Sequence, residues 1–457
     1  MESIKKHEKA VWRIYLIVIA LVPVSLCFNQ NIWLDEAYSL RWSMLPFGQM
    51  MNKLIHDVHP PLYYLLLRVV LTLFGNHIII AKLFSVLAFI FILVTGIRFV
   101  KKQFGRKAYL MYSLLLLCVP MMLKKTIEIR MYTWTYLFII LAGVELFYLL
   151  QKPDKKNWVL FTVCSAVAAY LHYFAVLTLV FVYPMIFVFF LINRNRLQIK
   201  NWVLCCVTTV LLYLPWLPIT LNQLKGDAAD WIEPSTSRLG PIRELFESDI
   251  PWTQNLLMML VILSFVIAFV FCLVRRDAIA YWQFICMIPL WGVLTFGQLY
   301  GSMYKPILIS RYLMIPLCLT ILGISSLIKY LPRMIVFLIA GFIIIIGAAT
   351  YKRVFIEEYV TKTDITVEFM KENFEENETI LTDGGGIGTV ILHYFPLAII
   401  EHTDRSDYDE MPDVFWYFDC YSSIDMTYWE EEGFECVTQG QYGLDNVYFT
   451  IYRLKKN

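Results

Sequence analysis

The chain has 457 residues, of which 59% are hydrophobic and only 17% charged, whereas soluble domains carry about 45–50% apolar and about 25% charged residues. Its 39 basic and 37 acidic side chains nearly cancel, leaving +2, and no basic block stands out. Composition excludes a disordered protein, a small disulfide scaffold, an ordinary cytosolic enzyme and a nucleic-acid binder, and it points to lipid.

A membrane helix needs about 20 mostly apolar residues. Eleven segments meet that measure: residues 11–28, 78–99, 107–123, 131–150, 157–171, 174–192, 201–220, 255–274, 280–299, 311–328 and 334–350. The first is too long for a removable signal peptide and lacks a small-residue cleavage site, so it reads as an anchor. Lys and Arg favour the cytoplasmic side. The basic start (Lys5, Lys6, Lys9, Arg13) puts the N-terminus inside. Eleven crossings then put every later cluster inside: Lys101/Lys102/Arg106/Lys107, Lys152/Lys155/Lys156, Arg194/Arg196/Lys200, Arg275/Arg276 and Lys329/Arg333. Residues 29–77, 124–130, 172–173, 221–254 and 300–310 become the outer connections, and the C-terminus is outside.

Residues 59–75 (HPPLYYLLLRVVLTLFG) are apolar enough for a twelfth span. A full crossing there would move every downstream basic cluster outside, so the segment reads as a helix at the outer interface, as Arg68 in its middle suggests. Residues 124–130 (KKTIEIR) run against the charge rule, with three basic residues on the outer side.

Beyond residue 351 the chain turns polar and acidic. Strands are predicted at 378–383, 397–401, 414–418 and 447–454, with a helix at 386–395 entered through glycines. The chain thus reads as an α-helical polytopic membrane domain (1–351) and a small extracytoplasmic α/β domain (352–457). Cys420 and Cys436 read either as a disulfide or as two reduced cysteines; the other eight lie in or near spans as packing residues.

Charges near lipid cost free energy, so their placement carries information. Asp35 and Glu36 follow the first span. They read as a solvated pair or helix cap, or as a general base with a neighbour holding metal or sugar hydroxyls. His56, Asp57 and His59 have loose metal-ligand spacing. Arg130 and Arg311 open apolar spans at the outer face, either as snorkelling anchors or as a phosphate clamp, since the guanidinium fork matches phosphate oxygens. Tyr132 and Tyr312 follow them closely, and Glu128 stands ready to pair with Arg130 or bind substrate. His172 and Tyr173 lie between two short spans, where a histidine reads as a structural hydrogen-bonder or as part of the outer cluster. Lys305 precedes Arg311 in the same outer connection. The Gly384–Gly388 run reads as a tight strand–helix turn rather than a phosphate-binding loop.

In this order, Trp33-Leu34-Asp35-Glu36-Ala37-Tyr38, His59-Pro60-Pro61-Leu62-Tyr63, Glu128-Ile129-Arg130-Met131-Tyr132, His172-Tyr173 and Ser310-Arg311-Tyr312-Leu313 resemble the GT-C superfamily of integral membrane glycosyltransferases. The nearest branch is that of protein O-mannosyltransferases and the aminoarabinose transferases of lipid A. The resemblance implies a plasma-membrane enzyme of the cell envelope that takes a sugar from a polyprenyl-phosphate carrier and passes it to a protein, lipid or glycan acceptor at the outer face. It implies Asp35 as catalytic base, with Glu36 beside it, and Arg130, Lys305 and Arg311 at the lipid phosphate. His59, Glu128, Tyr132, His172, Tyr173 and Tyr312 join the donor site. Some relatives use a divalent metal; the sequence requires no cofactor. A single displacement at the anomeric carbon inverts its configuration. The competing reading, a transporter or flippase, predicts internal repeats and midplane charges. The sequence shows no repeat and few such charges, Lys82 and Glu145 among them.

Overall fold

The computed structural model describes residues 2–28, 31–226, 232–233, 235, 237–353, 363–375, 377–403, 411–444 and 447–457; the middle of the 221–254 connection lies outside them. Helices come first in chain order: α1 (Glu2–Leu26), α2 (Leu34–Met44), α3 (Phe47–Ile55), α4 (Leu62–Phe74), α5 (Ile78–Arg98), α6 (Val100–Phe104), α7 (Arg106–Cys118), α8 (Pro120–Ile127), α9 (Tyr132–Gln151) and α10 (Lys155–Leu171). They continue through α11 (Tyr173–Ile192), α12 (Arg196–Tyr213), α13 (Leu217–Gln223), α14 (Gly240–Glu244), α15 (Pro251–Arg275), α16 (Ala278–Met303), α17 (Met314–Leu327) and α18 (Arg333–Lys352). Next come α19 (Thr363–Asn373), β1 (Thr379–Thr382), α20 (Gly385–Tyr394), β2 (Ile399–His402), β3 (Val414–Asp419), α21 (Met426–Glu431), β4 (Phe434–Leu444) and β5 (Val447–Lys456).

Each of the eleven apolar segments overlaps a helix. Among the described residues, seven helices are long and apolar enough to cross a membrane, or up to nine if each of two bent pairs is one span. The pairs are α7–α8, bent by 72°, and α12–α13, bent by 71°. Proline explains the first bend. Pro120 opens α8 and forces Val119 out of the helical region to ψ 123. Helix α4, at 13 residues, is about 20 Å long, short of the ~30 Å hydrocarbon core. Its Tyr63, Tyr64, Leu67 and Leu71 are buried, while Val69, Leu73 and Phe74 are exposed.

The chain divides into two compact units. One holds Met1–Ser25, Pro46–Val69 and Lys82–Tyr351; the other holds Leu26–Leu45, Val70–Ala81 and Lys352–Asn457. In the first unit 89% of an 18-residue window of Ser310–Tyr330 is buried but only 22% of one in Pro251–Arg275, so α17 is the core helix and α15 is peripheral. Close helix approach comes from small residues. A Cβ on Gly347 would lie 2.4 Å from Cys118 Sγ, so α18 meets α7 only through a bare backbone. Trp282 donates its indole N–H to Gly143 O at 2.7 Å and stacks on Phe104, tying α16 to α9.

The second unit carries a five-stranded sheet in the order β2-β1-β3-β5-β4. The three strands β2, β1 and β3 are parallel, and β5 and β4 are antiparallel additions. Its core packs Leu381, Phe415, Tyr417, Trp429, Phe434 and Leu454. The predicted strands and the glycine-entered helix fall on β1, α20, β2, β3 and β5. Sequence reading missed α19, α21 and β4. Strand β4 (FECVTQGQYGL) is an edge strand with few buried residues, two glycines and a register shift at Cys436/Thr438, so it lacks the apolar alternation by which strands are recognised. Cys420 and Cys436 are free thiols. Register explains why: Cys436 aligns through Leu454 with Phe415, five positions along β3 from Cys420, and a disulfide requires Cα atoms within about 7 Å.

Candidate active site

Arg130 sits in the turn between α8 and α9. Helix α8 ends at Ile127, Glu128 is extended, and the Arg130 N–H closes a tight turn on Glu128 O at 2.7 Å. The side chain is 2% exposed. Its Nη2 lies 3.0 Å from His59 Nε2, and its Nη1 donates to the Tyr64 hydroxyl at 3.2 Å. His59 Nδ1 lies 2.9 Å from Asp57 Oδ2. Arg130 can only donate, so His59 Nε2 accepts and Nδ1 carries the proton given to Asp57. Burial alone would raise the Asp57 pKa; the interaction with the His59 Nδ1–H, a backbone hydrogen bond at Val58 and the charge of Arg130 outweigh that and hold it below the ordinary carboxylate value. The outcome is a chain, Asp57–His59–Arg130–Tyr64, that fixes one guanidinium in a low-dielectric setting.

Beside it, Lys125 and Glu128 form a buried ion pair at 2.7 Å, and Lys125 Nζ lies 5.6 Å from the centroid of the Tyr132 ring. Arg311 stands in a 3-10 turn, Ser310–Leu313, whose Ser310 donates to Glu244. Its guanidinium is 5.8 Å from the Tyr312 ring. The Tyr312 ring packs 4.9 Å from His172 and 4.6 Å from Phe174, centroid to centroid.

His172 caps α11: its Nδ1 accepts the Phe174 N–H at 3.1 Å. The ring proton is therefore on Nε2, which is buried and has no hydrogen-bond partner among the described residues. Burial, then the neighbouring His59, Arg130 and Arg311, push its pKa well below the ordinary histidine value. His172 thus stays neutral and presents one N–H. The buried Tyr132 hydroxyl likewise has no partner among the described residues.

His172 lines a cavity of about 600 Å³ bounded by α10, α11, α12 and α13. Its walls are mostly apolar, with Ala169, Leu177, Val180, Val210, Leu217 and Leu221, and His172, Tyr173, Lys305 and Tyr312 are among its polar lining residues. Lys305 donates to Gly226 O. The Tyr173 hydroxyl donates to Gln223 and accepts from Trp216 at 3.0 Å, while Gln223 reaches Leu54 O at 2.8 Å. Tyr173 therefore braces α11 against α13 and α3.

Asp35 and Glu36 belong to the second unit. Both lie in the first turn of α2. Glu36 is 3% exposed and accepts the Trp33 N–H at 3.1 Å, satisfying an otherwise orphaned backbone donor at the helix start. Asp35 is half-buried; its backbone carbonyl takes the Ser39 hydroxyl at 2.9 Å.

The structure gathers His59, Glu128, Arg130, Tyr132, His172, Arg311 and Tyr312 in the first unit and puts Tyr173 and Lys305 on the adjoining cavity. Glu128 pairs with Lys125. Sequence reading missed Lys125 and Tyr64 and took Asp57 only as a metal ligand. The one signal for Lys125 was its place among outer basic residues that break the charge rule. A divalent metal does not fit the His59 cluster. Both ring nitrogens are engaged and one faces a guanidinium, while His56 Nδ1 bonds to Asn52 O on an exposed helix end. Among the described residues no group of three or more His, Cys, Asp or Glu could hold a metal ion.

This is a helical membrane architecture whose buried polar cluster abuts an apolar cavity, and it has the fold of the GT-C glycosyltransferases. Residues 58–219 match the family model of dolichyl-phosphate-mannose-protein mannosyltransferases. No curated protein matches the chain. Among solved structures, ArnT from Cupriavidus metallidurans bound to undecaprenyl phosphate aligns with TM-score 0.63 and 11% identity, covering 96% of this chain and 98% of that one. The Archaeoglobus fulgidus oligosaccharyltransferase in complex with Zn and sulfate aligns with TM-score 0.52 and 12% identity, covering 94% and 73%. The resemblance to the GT-C superfamily is thus carried by the family model over residues 58–219 and, for the rest of the chain, by the fold.

Proposed function

We propose that the protein is a membrane glycosyltransferase that moves a sugar from a polyprenyl-phosphate donor to an acceptor at the outer membrane face. One observation carries the reading. A largely apolar cavity is lined in part by the neutral His172, whose neighbours in the same unit include the buried, fixed Arg130, a combination suited to an amphiphile with an anionic head. That ArnT has been captured with undecaprenyl phosphate supports the same class of lipid. The cavity takes the first part of the isoprenoid, and the rest lies in the membrane.

In the reaction the acceptor hydroxyl oxygen forms a bond to the anomeric carbon as the bond from that carbon to the phosphate oxygen breaks. Asp35 takes the hydroxyl proton. The leaving lipid phosphate gains charge and needs electrostatic stabilisation rather than a proton. Arg130, with Arg311, supplies it from a preorganised, poorly solvated position. One displacement inverts the anomeric configuration. The layout of eleven crossings, with the N-terminus inside and the C-terminal domain outside, belongs to this proposal.

The test is mass spectrometry of envelope glycans, glycolipids and glycoproteins with and without the gene, joined to an assay for polyprenyl phosphate released by the purified protein. Loss of one glycan modification together with release supports the reading. An unchanged set of sugars with altered solute uptake would point to a transporter instead.

A further inference from the structure

We propose that the C-terminal α/β domain is the mount of the acidic motif: α20 and Thr363 fix the start of α2 and thereby set the position of Asp35. The inference rests on the reading of Asp35 as the base and gives the domain a role in that step.

Three observations within the second unit support it. First, α2 belongs to the same compact unit as residues 352–457. Second, the glycine run makes α20 bare where α2 meets it. A Cβ on Gly386 would lie 3.3 Å from Leu34 Cδ2, tighter than most side-chain contacts, and at ordinary contact distance, 3.6 Å, from Leu34 Cβ. Leu34 is the first residue of α2 and directly precedes Asp35. Third, Thr363 Oγ1 donates to Asn31 Oδ1 at 3.0 Å. Both residues are at most 5% exposed, so the segment leading into α2 is pinned on its other side. The opposite end of α20 carries Tyr394, which lies in the electrostatic field of Glu36.

The glycines thereby acquire a reason beyond turn geometry. Gly388 lets α20 lie on β2, where a Cβ would come 2.7 Å from Ile400 Cγ2, and Gly386 lets α2 lie on α20. A helix held at its first residue by backbone-close packing keeps the next residue in register. Reacting groups need that, because a misplacement of about 1 Å costs on the order of 100-fold in rate. The domain therefore acts on the reaction through Asp35, and Gly386, Leu34 and Thr363 are positioning residues.

The experiment is steady-state kinetics of the full chain in lipid nanodiscs with a polyprenyl-phosphate sugar donor. Gly386→Val is expected to lower kcat about 10-fold while KM for the donor stays within about 2-fold. Adding Leu34→Ala, which clears the space, restores most of the loss. Thr363→Val, isosteric but without the hydroxyl, lowers kcat in the same sense. In an Asp35→Asn background Gly386→Val causes no further loss. Limited proteolysis and tryptophan fluorescence (Trp416, Trp429) check that the domain stays folded. Unchanged kcat in Gly386→Val and Thr363→Val, or a loss that Leu34→Ala does not restore, overturns the inference. Full activity of Asp35→Asn alone overturns the base reading instead, which separates the two failures.

Discussion

Nη2 of Arg130 stands 3.0 Å from Nε2 of His59, and Asp57 holds the other side of that ring at 2.9 Å. A guanidinium on a flexible stem is thus locked by a partner 71 residues earlier in the chain. Hydrogen bonds to charged groups contribute about 1.5–3 kcal/mol, or roughly 10–100-fold in rate when they orient a transition-state contact. His59→Ala is expected to lower kcat/KM by that order, and Asp57→Asn by less, since the amide oxygen still accepts from Nδ1. In an Arg130→Ala background His59→Ala adds little, because the two act as one unit. Additive losses in the double variant would show that His59 acts independently of Arg130.

Asp35 and Glu36 separate in role. Asp35→Asn is expected to reduce sugar transfer by on the order of 100-fold or more, with the protein still folded and inserted. Glu36→Gln retains an oxygen for the Trp33 N–H. Activity within a few-fold of the parent is expected, with a small loss of thermal stability, of the ~1 kcal/mol that a helix cap contributes. Comparable inactivation by both substitutions would contradict the division.

Lys125 and Glu128 form a buried ion pair, and removing one partner strands the other. Breaking such a pair costs about 3–5 kcal/mol, so Lys125→Met should lower the melting temperature and the yield of folded protein. Replacing both, Lys125→Met with Glu128→Leu, recovers much of the stability. Whether activity follows is read in the same preparation. If stability returns and transfer does not, the pair also serves the phosphate.

His393 makes a pH prediction for the C-terminal unit. Burial lowers its pKa from 6.5 to about 4. The unfolded chain therefore binds the proton more readily, so stability is full above pH 6.5, falls as pH drops, and levels off near pH 4. The maximum effect is about 3 kcal/mol, taking ~1.4 kcal/mol per pKa unit. Chemical denaturation of the full chain, followed by tryptophan fluorescence between pH 4 and 7, checks it. The His393→Gln variant should lose this dependence.

The eleven-crossing layout has its own test at the end of α4. Asn76 is exposed, and Asn76→Cys, made with Cys206, Cys420 and Cys436 changed to Ser, should react with an impermeant thiol reagent from outside. Labelling only from the cytoplasm would overturn the layout.

Much of the molecule was legible in the sequence because hydrophobic patterning is local. Twenty apolar residues in a row form a helix wherever they sit, and α5, α9, α11, α15, α16 and α18 lie close to their expected positions. Pro120 announced a helix start but not the 72° bend, because the angle depends on what the second half packs against. Strand β4 escaped because an exposed edge strand needs no apolar alternation. Among the candidate site residues, Arg130, His172 and Arg311 stood out in the sequence because charge near lipid is rare. Tyr64 and Lys125 were missed because a tyrosine inside an apolar run and a lysine in a basic loop look like packing and solvation.

The sequence alone determined that this is a membrane-embedded helical chain with a polar α/β domain and an acidic motif after its first span. Those properties follow from composition and short-range order. Only the tertiary structure decided that His59 serves Arg130, that Glu128 is committed to Lys125, and that Asp35 is in the same compact unit as a domain some 320 residues further along. Such pairings depend on where distant segments meet. Burial, by removing competing water, turns these meetings into specific hydrogen bonds and ion pairs.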